Sequence, residues 1–381
     1  MSRIHWIGTG LSSVPGLRRL LNKNLDLYVW NRTVEKANSL VGDLTKNIYQ
    51  FNLDNLQNEI AKGDIVVSML PGDWHVPIAK LCINHSANFV SSSYVSDEMK
   101  LLHHDSLEKN LIIINEVGLD PGIDHLMSHY LVNDYKNSKA YHLDNEIEFV
   151  SYCGGIPKNP NKFCYKFSWS PAGVLKALKS PAISIRNFQE LLTERPWHQV
   201  EHFSIPSEDK EKFEVYPNRD SRPFIKQYDF EDEWKIKTFV RGTLRNLGWK
   251  EAWKEIFQKI DNLNLELEYN KLQAISDELW KNNSYGVNEY DRVVLNVSLR
   301  ASKNKVDLYE KSYLLDAWGN ENGSAMARLV SIPVALAVEA VINNNIAPGV
   351  SAAPKTPGIV ENWLKEVGKE AQILKLIDMS K

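Results

Sequence analysis

The chain has 381 residues, 43% hydrophobic and 24% charged, with 45 Lys plus Arg against 48 Asp plus Glu for a formal net charge of −3. These are values of an ordinary globular protein of two or so domains, and they exclude disorder. The balanced charge leaves no field to attract a polyanion or an anionic bilayer, so neither nucleic acid nor membrane is an expected partner.

The first third alternates short apolar runs with helical spacing. Strands are predicted at Ile4 to Gly8, Leu25 to Trp30, weakly at Ile48 to Phe51, then at Asp64 to Met69, Asn88 to Ser91 and Leu111 to Asn115. Helices are predicted at Pro15 to Leu21, Glu35 to Leu44 and Val76 to Ile83, and after the strand at Asn88 to Ser91 as far as about Lys109. Apolar strands separated by helices imply a parallel sheet covered on both faces, a Rossmann-type doubly wound α/β fold over residues 1–123.

After Asp124 the rhythm changes. Strands are predicted at Glu146 to Tyr152, Cys164 to Trp169, Thr238 to Val240 and Arg292 to Arg300. The last turns through Ser302-Lys303-Asn304 into Lys305 to Leu315 as a long hairpin. Helices are predicted at Ala172 to Lys179 and Glu251 to Ile260, with Trp249 and Trp253 four apart as a core-facing stripe. Residues 124–346 therefore read as an α+β substrate-binding and dimerisation domain with a mostly antiparallel sheet. Ser324 to Val341 reads as an apolar helix that Pro333 should kink or break. A Pro-rich crossing, Ala347 to Pro357, leads to a short terminal helix. The 11 Trp and 15 Tyr suggest large rigid contact surfaces, and with them a homodimer.

Cys82, Cys153 and Cys164 are too few and too scattered for a disulfide framework or a cysteine-based zinc site. With no charged-then-apolar leader and no run of roughly 18 apolar residues, the expected location is the cytoplasm.

The first strand runs into Gly8-Thr9-Gly10-Leu11-Ser12-Ser13. In a dinucleotide fold the first glycine makes the tight turn and the second lets the pyrophosphate approach the helix N-terminus, while Ser13 stands where a third glycine would pack helix on strand. Two glycines in six residues are common in turns, but the position after a first strand and before a helix raises the motif's weight. The second strand ends in Trp30-Asn31-Arg32-Thr33. No carboxylate is there to hold ribose hydroxyls or repel a 2′-phosphate, and Arg32 offers a charged fork, which favours NADP(H) over NAD(H). Arg32 can also be read as a solvated residue at a helix start.

At Asn115-Glu116-Val117-Gly118-Leu119-Asp120-Pro121-Gly122-Ile123-Asp124-His125 the chain resembles the glutamate-forming saccharopine dehydrogenases, also called saccharopine reductases. The resemblance recurs, in order, at Ser92-Ser93-Tyr94-Val95-Ser96, Ser151-Tyr152-Cys153-Gly154-Gly155 and Tyr165-Lys166-Phe167-Ser168-Trp169-Ser170-Pro171. It continues at Tyr216-Pro217-Asn218-Arg219-Asp220-Ser221 and Val240-Arg241-Gly242-Thr243-Leu244-Arg245. It implies interconversion of saccharopine with glutamate and 2-aminoadipate 6-semialdehyde, using NADP(H). It also implies that residues 347–381 return to pack on the first domain. On the cofactor side it points to Gly10, Leu11, Asn31, Arg32, Thr33, Leu70, Pro71, Ser93, Leu119, Asp120, Pro121 and Ser170, to which the loop adds Gly8 and Ser12. On the substrate side it points to Ser93, Tyr94, Asp120, Arg219, Thr243, Leu244 and Arg245. Asn52-Leu53 departs from the family's Asp-Val pair, Asp97 replaces a proline, and residues 263–290 match poorly.

Saccharopine carries three carboxylates and a secondary amine. Arg219 and Arg245 suit bidentate carboxylate pairs, with Arg222 and Arg241 as further candidates. Asp120, on the loop after the sixth strand, is the first choice for proton handling, with Tyr94 and Cys153 sharing the role and Lys166 another acid–base candidate. Plainer readings stand beside these. Asp120 in a Leu-Asp-Pro-Gly turn can bond its own backbone, Asp124 can cap a helix, and Cys153 can be a small buried residue. His125 and His129 are four apart, but no third metal ligand is evident and no metal is expected. The rival functions are a relative acting on carboxynorspermidine or lysine, and a non-catalytic NADP(H)-binding protein.

Overall fold

The apolar runs of the first third form parallel strands in a computed structural model that describes residues 2–264 and 267–380. They are β1 (Ile4–Ile7), β2 (Leu27–Asn31), β3 (Ile48–Gln50), β4 (Ile65–Ser68), β5 (Asn88–Ser91) and β6 (Ile112–Ile114). The sheet runs β6-β5-β4-β1-β2-β3, every pair parallel. β4 is buried at all four positions, which is why it reads as an unbroken apolar run rather than an alternation. Strand order reverses between β1 and β4, and the carboxyl ends there form the crevice in which such folds bind ligands. Ile7, Trp30, Val66, Ile78, Phe89 and Ile113 belong to the core between sheet and helices.

Two details depart from expectation. A helix not predicted, Leu53–Glu59, buries only Leu56, so it has almost no apolar period to reveal it. The departing residue Asn52 caps it, its side chain accepting from Asn55 N at 2.7 Å. The stretch up to Lys109 is two short helices, Asp97–Lys100 and His103–Glu108, rather than one.

The second sheet uses β7 (Glu146–Pro157), β8 (Ala182–Arg186), β9 (Gln189–Thr193), β10 (Glu201–Ser204), β11 (Lys212–Pro217), β12 (Lys235–Asn246), β13 (Asp291–Lys303) and β14 (Val306–Trp318). Only β7 and β12 pair in parallel; the other pairs are antiparallel. The strand predicted at Cys164 to Trp169 is not one: apart from a bridge from Phe167 to Ser284, its residues enter an aromatic core instead. Tyr165, Phe167, Trp197, Trp249 and Trp253 meet there, so the alternation recorded burial rather than a strand. These rings, which the dimer expectation took for contact surface, are buried.

The chain divides into two compact units, Met1–Leu126 with Ala327–Val367, and Met127–Met326 with Gly368–Lys381. The return to the first unit therefore comes at residue 327 rather than 347. β15 (Gly349–Ser351) adds to the first sheet beside β6, whereas β16 (Ile373–Asp378) pairs antiparallel with β14. The expectation that all of 347–381 packs on the first domain is thus corrected: the edge of β14 takes the last strand. Helix Ala325–Ile342 runs through Pro333 as one unbroken element. Among the described residues it is the one helix long and apolar enough to cross a membrane, and 83% of it is buried within the protein. Arg328 and Glu339 interrupt its apolar run.

Candidate active site

β1 ends at Ile7, and Gly8 adopts φ +98°, where a Cβ would also stand 3.2 Å from Met69 O. At Gly10 a Cβ would meet nothing within 4 Å, so the backbone there faces open space. Ser13 plugs the loop from inside: its hydroxyl donates to Gly8 O at 2.6 Å and accepts from the Trp6 indole at 2.8 Å. The close packing a third glycine would give is found at Gly16, where a Cβ would lie 2.0 Å from Ser331 O. Asn31 ties the loop to β2, Oδ1 accepting from Thr9 N at 3.1 Å and Nδ2 donating to Thr33 O at 2.7 Å. The Thr9 hydroxyl is buried with no partner among the described residues. Leu11, Arg32, Thr33 and Pro71 are exposed, and Ser12 and Leu70 half-buried. Open backbone at Gly10, the helix N-terminus behind it and Arg32 at the end of β2 fit a phosphorylated dinucleotide.

At the carboxyl ends of β5 and β6, Tyr94 donates its hydroxyl to Asp120 Oδ1 at 3.2 Å. Asp120 is half-buried between buried Leu119 and Pro121, and the Asp120–Pro121 peptide is cis. Glu116 Oε1 accepts from Val95 N at 3.0 Å, which holds the segment after Tyr94, and its Oε2 lies 3.0 Å from His125 Nε2. His125 Nδ1 is 3.3 Å from Asp124 Oδ2, while Asp124 Oδ1 accepts from Gly122 N at 2.7 Å, just ahead of its helix. His129 packs edge-on against Tyr228 at 5.6 Å. Among the described residues no three His, Cys, Asp or Glu gather as a metal-holding group. Ser93 Oγ lies 2.8 Å from His75 Nε2. Sequence reasoning singled out neither Glu116 nor His75. No spacing rule joins Glu116 to a histidine nine residues on, and His75 sat unremarked at a helix start.

In the second unit, Arg245 on β12 is 5% exposed. Its guanidinium lies over Tyr165, Tyr216 and Trp249, at 4.8, 5.6 and 5.7 Å from the ring centroids. Nη1 donates to Leu244 O at 3.1 Å and Nε finds no acceptor. Among the described residues no carboxylate forms a salt bridge with it, and its cross-strand partner Glu214 accepts from Gly248 N and Lys250 N instead, although a buried charge is costly without a counter-charge. Burial pushes the Tyr165 and Tyr216 phenols up, leaving neutral rings around the cation. Such a guanidinium is suited to an incoming carboxylate.

Thr243 is half-buried and in register with Tyr216 on β11 and Cys153 on β7. Cys153 is buried in that central strand. Leu244 is fully buried, and its carbonyl accepts from Arg245 Nη1 at 3.1 Å. Arg219 is exposed on the turn after β11, with φ +58°. Ser170 Oγ caps helix Pro171–Lys179, accepting from Gly173 N at 3.3 Å. The further candidates are largely engaged. Arg222 pairs with Asp220 and Glu190, each at 2.7 Å, Arg241 covers the Phe224 ring at 3.9 Å, and Lys166 pairs with Glu289.

A doubly wound sheet with a glycine loop at its switch point defines a dinucleotide-binding protein of the dehydrogenase type. Residues 4–114 match the saccharopine dehydrogenase NADP binding domain and residues 118–373 the saccharopine dehydrogenase C-terminal domain. The chain belongs to the saccharopine dehydrogenase family, and its cofactor is NADP(H). It is similar to the saccharopine dehydrogenase (NADP+, L-glutamate-forming) of Pyricularia oryzae, 28% identical over 444 residues and 95% of each chain. The alpha-aminoadipic semialdehyde synthase of Arabidopsis thaliana is 35% identical over 201 residues, covering 51% of this chain and 18% of the plant protein's length. The apo saccharopine dehydrogenase (L-Glu forming) of Saccharomyces cerevisiae shares the fold, with a TM-score of 0.81 at 24% identity over 100% of both chains.

Proposed function

We propose that the protein interconverts saccharopine with L-glutamate and 2-aminoadipate 6-semialdehyde in lysine metabolism. The observation that carries this reading is the similarity to the P. oryzae enzyme over 95% of both chains. Bound NADP+ supplies the hydride acceptor. Loss of hydride from the lysyl ε-carbon beside the substrate's secondary amine gives an imine; water adds to that carbon, its C–N bond breaks, and glutamate leaves with one proton released.

The residues divide this work. Arg245, already faced by three rings, binds one substrate carboxylate, and Arg219 a second. Asp120, which accepts from the Tyr94 hydroxyl, takes the proton from the amine or the attacking water. Cys153 shares that role, and Ser93, Thr243 and Leu244 belong to the substrate side. Gly8, Gly10, Leu11 and Ser12 hold the pyrophosphate, with Asn31, Arg32 and Thr33 at the 2′-phosphate. Leu70, Pro71, Ser93, Leu119, Asp120, Pro121 and Ser170 contact the rest of the cofactor.

The thiols of Cys82, Cys153 and Cys164 support a cytoplasmic location, and the near-neutral charge supports a function without nucleic acid or membrane. Exposed Phe188, Leu191 and Leu192 on the β8–β9 hairpin support a homodimer, which light scattering would test. For the reaction itself, purified protein with saccharopine and NADP+ should form L-glutamate and NADPH in equal amounts. Lysine and 2-oxoglutarate as products, or turnover of carboxynorspermidine but not saccharopine, would overturn the assignment.

A further inference from the structure

His75 is a buried imidazole to which the reaction as described assigns no task. It opens helix His75–Asn84, and its ring bridges the carboxyl ends of two neighbouring strands. Nδ1 lies 3.0 Å from Ser68 Oγ, the last residue of β4. Nε2 lies 2.8 Å from Ser93 Oγ and 3.4 Å from Ser91 Oγ, the last residue of β5. Ser93 N in turn donates to Ser91 Oγ at 3.1 Å, and the Phe89 ring meets the imidazole edge-on at 6.2 Å. Both ring nitrogens therefore have hydroxyl partners, and the ring plane is fixed by packing. Burial pushes His75 down to about 4, so near neutral pH one nitrogen donates and the other accepts.

A serine hydroxyl beside a neutral imidazole has one of two polarities. If Nε2 accepts, the Ser93 hydroxyl proton points at His75 and only oxygen lone pairs face a ligand. If Nε2 carries the proton, Ser93 accepts from it and turns its own O–H outward. Carboxylates are acceptors, so only the second arrangement lets Ser93 bond one. We propose that His75 is a positioning residue: its Nε2–H donates to Ser93 Oγ and aims the Ser93 hydroxyl at a carboxylate of the substrate. The Ser68 hydroxyl, donating to Nδ1, holds that tautomer. This rests on the reading of Ser93 as a substrate contact and assigns a cause to its orientation.

The test is a double-mutant cycle on kcat/KM for saccharopine, with His75→Phe, Ser93→Ala and the pair. His75→Phe alone should lower kcat/KM about tenfold, chiefly through KM. In the Ser93→Ala background the same change should alter it less than about twofold. His75→Gln, which keeps a donor, should recover most of the loss. Equal losses in both backgrounds would mean a merely structural histidine and overturn the proposal. Independently of turnover, 15N spectra of histidine-labelled wild-type protein should show His75 as the Nε2–H tautomer, and the Nδ1–H tautomer would refute it. Should His75→Phe fail to fold, the Gln variant and the spectra decide. Should wild-type protein not turn over saccharopine, the functional reading falls, while the tautomer still tests His75.

Discussion

The first unit's glycine loop and the surroundings of Arg245 are both suited to anions, but they are built differently. Around Gly8 the protein meets most of its own needs: Ser13 bonds Gly8 O, Asn31 bonds Thr9 N, and the backbone at Gly10 is left bare. Around Arg245 it supplies a full charge and three ring faces but, among the described residues, no salt bridge: the cross-strand carboxylate of Glu214 accepts from Gly248 N and Lys250 N instead. A backbone site of the first kind holds its shape whatever is bound. A side-chain site of the second kind has its electrostatic balance completed by its ligand.

Arg245→Ala should break that contrast most sharply. We expect kcat/KM for saccharopine to fall about 10²- to 10³-fold while the NADPH Kd stays within about twofold, as judged by steady-state kinetics and fluorescence titration. Arg245→Lys should restore little, because an ammonium lacks the planar fork that can stack on rings and pair with a carboxylate at once. Equal damage to both ligands would mean the residue is structural. Gly16→Val probes the other region. A Cβ 2.0 Å from Ser331 O must displace backbone, so unfolding stability in urea should fall by about 3 kcal/mol or more. A small loss would mean that the helix pair yields easily.

The buried histidines of the first unit sharpen the comparison through pH. His5, whose Nδ1 accepts from the Trp30 indole at 3.1 Å and whose Nε2 lies 3.0 Å from Asp64, is also lowered, chiefly by burial. Between pH 6.5 and about 4 the unfolded chain binds protons that folded His75 refuses, so stability is present above that window and lost as pH falls through it. The loss from His75 should reach about 2–3 kcal/mol, seen as a falling urea midpoint, and His75→Gln should flatten that part of the profile. The smallest effect belongs to Arg32. Arg32→Ala should weaken NADPH about tenfold and leave NADH nearly unchanged.

How far each region could be read from sequence follows from the same contrast. The parallel sheet was legible because its strands are short and buried through, and the glycine loop because a bare backbone requires particular residues at particular positions. Ser13 was legible as a departure, but not its bond to Gly8 or the shift of close packing to Gly16, which depends on a helix more than 300 residues away. Arg245 could be named by resemblance alone. Its rings come from Tyr165, Tyr216 and Trp249, brought together only by the folded sheet and helices. The strand predicted at Cys164 to Trp169 failed for that reason, since alternating aromatic residues there fill a core between helices. The last strand was not predicted, because β16 alternates weakly, with every residue half-buried or exposed, and nothing local says which sheet edge it joins.

The most direct test of the central claim is the initial rate of nicotinamide reduction with saccharopine, measured for NADP+ and for NAD+ on the same wild-type preparation. The expected result is turnover with NADP+ at a kcat/KM at least about tenfold above that with NAD+, as an arginine on a 2′-phosphate implies. No reduction with either cofactor, by protein shown to bind NADPH, would contradict the saccharopine assignment; equal rates with both would contradict the role given to Arg32.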